Sequence, residues 1–295
     1  MVTVILMLLA VLGVIFTLFL IRDLIAHKRN LGSENTWVAG IIGIITDFLD
    51  SLGIGSFATT TLGFKITKFL KNDHLLPGTL NVGHSIPVIV QAFLFIKVVK
   101  VNSITFLSMV LAAMAGSWIG ARTVIKFSEK KIQITMGIAL AVTAVLMMLK
   151  QLNVLDILGQ GNESTGLTGG LLIIAVVGNF ILGGLMTVGV GLYAPCMAMV
   201  FMLGLNPLVT FPIMMASCSA IMPTASLEFI KQGKYSRKGV IGLTIGGIIG
   251  VILAVQFVQS VNLNILIWVI IAVVIYTAIS MFLSGIRKEG ETIAE

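Results

Sequence analysis

The sequence predicts an all-α, polytopic helical membrane protein built from two inverted repeats, and three observations carry that prediction. Apolar runs of about twenty residues, the length a helix needs to span a bilayer, follow one another along the chain. Of the 295 residues, 57% are hydrophobic and only 11% charged, and the mean hydropathy is +1.08, a composition foreign to soluble globular domains. A glycine-rich stretch also occurs twice. Asp50-Ser51-Leu52-Gly53-Ile54-Gly55-Ser56-Phe57-Ala58 returns as Met186-Thr187-Val188-Gly189-Val190-Gly191-Leu192-Tyr193-Ala194-Pro195, so that Gly53, Gly55 and Ala58 meet Gly189, Gly191 and Ala194, each 136 positions later. Phe57 meets Tyr193, Pro87 meets Pro223 and Phe93 meets Phe229 at the same offset. With an offset of 130, Gly116, Gly120 and Phe127 then meet Gly246, Gly250 and Phe257. Small-residue helix packing is the other source of such glycines. A β-barrel would show short alternating segments instead of long continuous runs.

In chain order, residues 2–21 form a first apolar helix. It lacks the basic start, short apolar core and cleavage site of a signal peptide, so it is read as retained. Residues 22–35 are a polar loop. Residues 36–71 read as two helical arms, 36–52 and 56–71, with Gly53 and Gly55 at the turn; Lys65, Lys68 and Lys71 mark the return to a basic surface, and Lys65 and Lys68, one turn apart, have stems able to run toward the interface. Pro77 opens the span 77–97, as suits a first helical turn. Spans follow at 103–125 and 131–150, completing repeat 1 over residues 36–150. Residues 151–167 are a polar linker. Repeat 2, residues 168–284, has arms at 168–188 and 191–204 around the second glycine break, then a turn at Asn206-Pro207 and spans at 208–230, 238–259 and 263–284. Residues 285–295 are a short tail. The whole chain is thus one transmembrane domain of seven full spans and two Gly-broken, hairpin-like elements.

Basic residues set the expected topology. If the N-terminus is outside and each broken pair returns to its starting side, five segments face the cytoplasm: 22–35, 65–75, 122–131, 231–238 and the tail. They hold sixteen of the nineteen Lys and Arg, leaving out only Lys97, Lys100 and Lys150. Repeat 1 then starts at the cytoplasm and repeat 2 outside, so the halves are inverted. The formal net charge of +7 is explained by those loops and does not suggest a nucleic-acid partner. Cys196 and Cys218 read as small buried residues. There is no phosphate-cradling loop, metal-ligand spacing or nucleophile elbow, so no cofactor and no metal are expected and an enzyme is disfavoured.

Repeated Gly-rich breaks in the two halves of a membrane protein point to a transport site. Unwound backbone inside a bilayer is tolerated only where protein or a water-filled cavity satisfies it. Gly53, Gly55, Gly189 and Gly191 therefore suggest a shared polar cavity whose free N–H groups and helix starts suit an anion. Ser51, Ser56, Thr59, Thr60, Thr187 and Tyr193 can add donors, or the hydroxyls bond back to their own helices. Asn81, His84 and Ser85 lie at helical spacings of three and four and read as one polar face, continued by Gln91 and matched in repeat 2 by Ser217, Ser219 and Thr224. His84 is either a substrate or proton ligand or a satisfied interhelical histidine. Asp47 and Asp50, a turn apart before the first break, are candidates for proton coupling, for cation binding, or for capping the second arm. Their counterparts Gly183 and Met186 are not acidic. Glu228 reads as an ion-pair partner of Lys231, and Arg122 as a positive-inside residue or an anion attractor. The Gly242-X3-Gly246-X3-Gly250 face serves either internal packing or a homodimer.

These residues resemble the sulfite exporter TauE/SafE family of membrane transporters over residues 37–284. The likeness rests on Gly53/Gly55 and Gly189/Gly191, on Pro195, on the Asn81–Pro87 and Ser217–Pro223 helices, and on Gly-Ser-Trp-Ile-Gly-Ala-Arg at 116–122. The resemblance implies transport of a sulfur-containing anion, sulfite or organosulfonate in type, across the cytoplasmic membrane. It departs from the family at Ser56 and at Thr59, which stands where Pro195 would match. Together these readings predict a secondary transporter with a small anion as substrate, bound by Gly53, Gly55, Ser56, Thr59, Asn81, His84, Ser85, Gly189, Gly191, Tyr193 and Ser217. Asp47, Asp50 or His84 would carry a coupling proton. A passive anion channel, and a membrane enzyme or sensor, are the alternatives.

Overall fold

Twelve α-helices make up the computed structural model, which describes residues 2–52, 54–95, 101–158, 160–257 and 263–291. They are α1 (Val2–Ala26), α2 (Thr36–Ser51), α3 (Ser56–Ile66), α4 (Leu76–Phe95), α5 (Ser103–Val124), α6 (Glu129–Gln151), α7 (Val154–Leu158), α8 (Gly169–Met186), α9 (Tyr193–Met202), α10 (Pro207–Lys231), α11 (Arg237–Phe257) and α12 (Leu263–Glu291). Among the described residues seven helices are long and apolar enough to cross a membrane, which fits a multi-pass membrane protein. Helix α8, expected as one arm of a broken pair, is among them with 18 residues. The expected span 263–284 falls within α12, several of whose side chains lie outside the described residues. The polar linker between the halves carries the short helix α7.

Local chemistry explains most helix starts. The side chains of Asn35, Asn102, Ser128 and Asn206 accept from backbone N–H groups at the starts of α2, α5, α6 and α10. Pro207 occupies the first turn of α10, where a missing N–H costs nothing. Pro87 lies inside α4 and cannot bond the carbonyl of Gly83 one turn earlier. The Thr244 hydroxyl of α11 donates to that carbonyl at 3.0 Å, so a neighbouring helix satisfies what the proline frees.

Burial separates centre from periphery. In the best apolar windows of α10 and α4, 88% and 72% of residues are buried, against 17% and 22% in α1 and α8. Glycine sets the closest contacts. A Cβ on Gly246 or Gly250 of α11 would collide with the carbonyls of Gly40 or Ile44 on α2, and one on Gly116 with that of Phe180 on α8. The Gly242–Gly246–Gly250 face is therefore used internally, against α2.

Helix directions follow from paired contacts. Gly246 over Gly40 and Gly250 over Ile44 make α2 and α11 parallel; Asn179 on Met109 and Gly183 on Ala113 make α5 and α8 parallel. Ser85 meets Ser226 while Val88 meets Ser219, so α4 and α10 are antiparallel. Helices α6 and α12 are also antiparallel, with Gly137 against Phe282 and Gly285 against Ile134.

The basic segments gather at one end of the bundle. Tyr235 and Arg237 donate to Asp23 at 2.5 and 2.7 Å, Lys65 pairs with Asp73 at 2.6 Å, the Asp73 N–H donates to Glu129, and Arg122 meets Glu228 at 3.2 Å. The Tyr235 phenol is pushed above its ordinary value, first by burial and then by the Asp23 carboxylate, so it stays protonated and donates. Trp118 also donates to Glu228, so Lys231, at 4.0 Å, is the outermost of three partners. Lys97 and Lys100 lie outside the described residues. The opposite end is tied by Asn206 N–H to the Ser164 carbonyl and by Asn162 to those of Phe201 and Leu205.

The offset of 136 reappears in the backbone. Five hydrogen bonds at the ends of α2 and α3 recur 136 residues later at the ends of α8 and α9: Leu52 to Leu49 with Val188 to Leu185, Ile54 to Leu49 with Val190 to Leu185, Thr67 to Gly63 with Leu203 to Met199, Lys68 to Lys65 with Gly204 to Phe201, and Phe69 to Phe64 with Leu205 to Val200.

Candidate functional site

A small cavity of about 50 Å³, room for a few waters or a small ion, lies between the two glycine-containing breaks. From the first break it is lined by Asp50, Gly55 and Ser56, from the second by Gly189, Gly191 and Tyr193, and from α6 by Thr143 and Lys150. Gly53 lies outside the described residues. Gly55 and Gly189 have φ of +91° and +104°, in the region where only glycine sits without strain, which is why the chain breaks at these positions.

The two breaks differ electrostatically. At the first, Asp50 Oδ1 accepts the Ser56 N–H at 2.7 Å, so the protein's own carboxylate caps the start of α3. Its Oδ2 is buried without a hydrogen bond. At the second break, among the described residues, no side chain caps α9, and Gly191 N–H makes a long 3.4 Å contact to Thr143 Oγ1. Lys150 is the cation among the cavity's lining residues. Tyr193 Oη and Gln91 Oε1 are each buried without a hydrogen-bond partner.

Behind this cavity runs a fully buried chain of three side chains. Asp47 Oδ2 is 2.8 Å from His84 Nδ1, and His84 Nε2 is 3.0 Å from Thr60 Oγ1. An ionised Asp47 makes Nδ1 the protonated nitrogen and leaves Nε2 to accept from Thr60. Asp47 and Asp50, three residues apart on α2, share one face; the imidazole bonds Asp47, while Asp50 bonds the Ser56 N–H. Asp47 Oδ1 has no hydrogen-bond partner.

Other predicted residues are elsewhere. His84 and Ser85 do not share a face: consecutive helical residues are about 100° apart, and Ser85 instead meets Ser226 of α10 at 3.1 Å. Asn81 turns back to the Pro77 carbonyl at 2.8 Å. Ser217 accepts from Asn179, outside the cavity lining. Thr59, Ser51 and Thr187 bond back to carbonyls of their own segments. Cys196 and Cys218 are free and buried.

No family model, curated protein or solved structure matches this chain. Function is therefore argued from the site itself. Among the described residues no cluster of His, Cys, Asp and Glu has the makings of a metal site. Sequence reasoning missed Thr143 and Lys150. Lys150 ends an apolar span and reads as a boundary marker; its one signal is that it falls on the lysine-poor side of the chain.

Proposed function

We propose that this protein is a secondary transporter moving a small sulfur-containing anion, sulfite or organosulfonate in type, across the cytoplasmic membrane with a coupling proton. The observation that carries the proposal is the cavity between the two breaks, where a lysine and an uncapped helix start face a buried carboxylate. Lys150 and the start of α9 attract an anion. Ionised Asp50 repels it and occupies the equivalent place at the start of α3. Protonation of Asp50 removes the repulsion, so anion and proton are taken up together. The Asp47–His84–Thr60 chain gives that proton neighbours to exchange with. The resemblance to the sulfite exporter TauE/SafE family supplies the substrate class.

The halves are read as inverted repeats around this cavity, each beginning with a Gly-broken hairpin. Supporting this are the hydrogen bonds recurring at an offset of 136 and the antiparallel packing of the counterparts α4 and α10. The clustering of basic loops at one end supports a cytoplasmic C-terminus and an outside N-terminus. Rocking of one half against the other would expose the cavity alternately.

The test is sulfite uptake into proteoliposomes with and without an imposed pH gradient. Uptake that follows the gradient is the expected result. Gradient-independent flux that saturates poorly would mean a passive channel. Absence of flux for sulfite and for a panel of organosulfonates would remove the substrate class.

A further inference from the structure

A second pocket, of about 220 Å³, opens at the basic end of the bundle. It is lined by Thr61, Phe64, Lys65, Lys68, Leu70 and Lys71, and by Asp73, Leu76 and Glu129. Three lysines thus face two carboxylates. Lys65 is neutralised by Asp73, which also accepts from Gln133 at 2.7 Å, and Glu129 accepts the Asp73 N–H. Among the described residues Lys68 and Lys71 form no ion pair. The pocket therefore carries unspent positive charge at its rim.

Lys68 sits there against the grain of its backbone. Its φ is +49°, a left-handed conformation that ordinary side chains avoid. The residue 136 positions later, which makes the same backbone hydrogen bond, is Gly204 with φ +88°, the residue type this geometry favours. The first half thus holds a strained lysine where the second half has glycine, and that lysine lines the pocket.

The pocket is also aligned with the central cavity. Helix α3 lines both: Ala58 faces the cavity between the breaks and Thr61 faces the basic pocket, one turn or roughly 4.5 Å of rise away. Helix α6 likewise gives Glu129 to the pocket and Thr143 and Lys150 to the cavity. The ring of Phe57 lines the cavity and that of Phe64 the basic pocket, and the buried Thr59 and Thr60 lie between them on α3.

We propose that the basic pocket is a second anion site, the vestibule through which a small oxyanion enters or leaves the central cavity along α3. This rests on the anion-transport reading and adds to it a place and a pair of residues, Lys68 and Lys71. Both side chains are exposed, so replacing them by glutamine leaves packing intact.

The experiment is equilibrium binding of sulfite to the purified full-length protein in detergent, at fixed chloride, by calorimetry. Wild type, the double variant Lys68→Gln/Lys71→Gln, and Lys150→Gln are compared, with unfolding temperature as the folding control. Two bound equivalents are expected in wild type, one lost in the double variant and the other in Lys150→Gln. A single equivalent that disappears in Lys150→Gln and is unchanged in the double variant would overturn the vestibule while leaving the central site standing. A single equivalent lost only in the double variant would support the basic pocket and overturn the central site. No binding in wild type would overturn both.

Discussion

Replacing Asp50 by asparagine tests the coupling argument most directly. The substitution keeps a side-chain oxygen to accept the Ser56 N–H, now 2.7 Å from Asp50 Oδ1, but removes the charge. Asp50 lines the cavity of about 50 Å³, and an anion there is taken to sit about 6 Å from the carboxylate for the Coulomb estimate. At that separation and an effective dielectric of about 20, two like unit charges repel by about 2.8 kcal/mol, about a hundredfold in affinity. Wild-type uptake should therefore rise as pH falls and Asp50 takes up its proton, approaching the rate of Asp50→Asn at the acid end. The variant should bind methanesulfonate, which stays singly charged across this range, about as well at high pH as at low. Charge-assisted hydrogen bonds exceed neutral ones by about 1 kcal/mol, so α3 is slightly less firmly capped and the fold survives. Initial rates in proteoliposomes between pH 5.5 and 8.5, run beside direct binding, give the readout. An Asp50→Asn protein that keeps the wild-type pH slope refutes Asp50 as the coupling group.

Three further outcomes are expected. Removing the imidazole in His84→Ala strands the buried Asp47 carboxylate and should cost about 3–5 kcal/mol. The double variant Asp47→Asn/His84→Ala should lose less than the two singles summed, and additive unfolding temperatures would contradict the pairing. Gly246→Val drives a side chain into the Gly40 carbonyl and should destabilise by about 1–3 kcal/mol or more, whereas Gly170→Ala, where a Cβ meets open space, should be near neutral. Lys150→Gln should raise the KM for anion uptake far more than it lowers kcat, and Lys150→Arg should restore part of the affinity; an unchanged KM in Lys150→Gln would remove this lysine from the site.

The sequence by itself determined the all-helical architecture, because spanning length and continuous apolar runs are local properties of the chain. The glycine breaks were legible for the same reason: Gly55 and Gly189 take up a backbone conformation that other residues reach only with strain. The offset of 136 could be read from residues and reappears in backbone hydrogen bonds, since the same local pattern closes the same turns. What only the tertiary structure decided is which polar groups meet. Spacing on one helix placed Asn81, His84 and Ser85 together, but the partners come from other helices, and a rotation of about 100° sends His84 toward Asp47 and Thr60 and Ser85 toward Ser226. Asp50 was readable as a buried acid but not as the cap of α3 in preference to its other roles. Lys150 looked like the end of a span, and its place beside both breaks depends on α6 packing across from α3 and α9, a juxtaposition of segments some 90 and 40 residues away that no local pattern encodes.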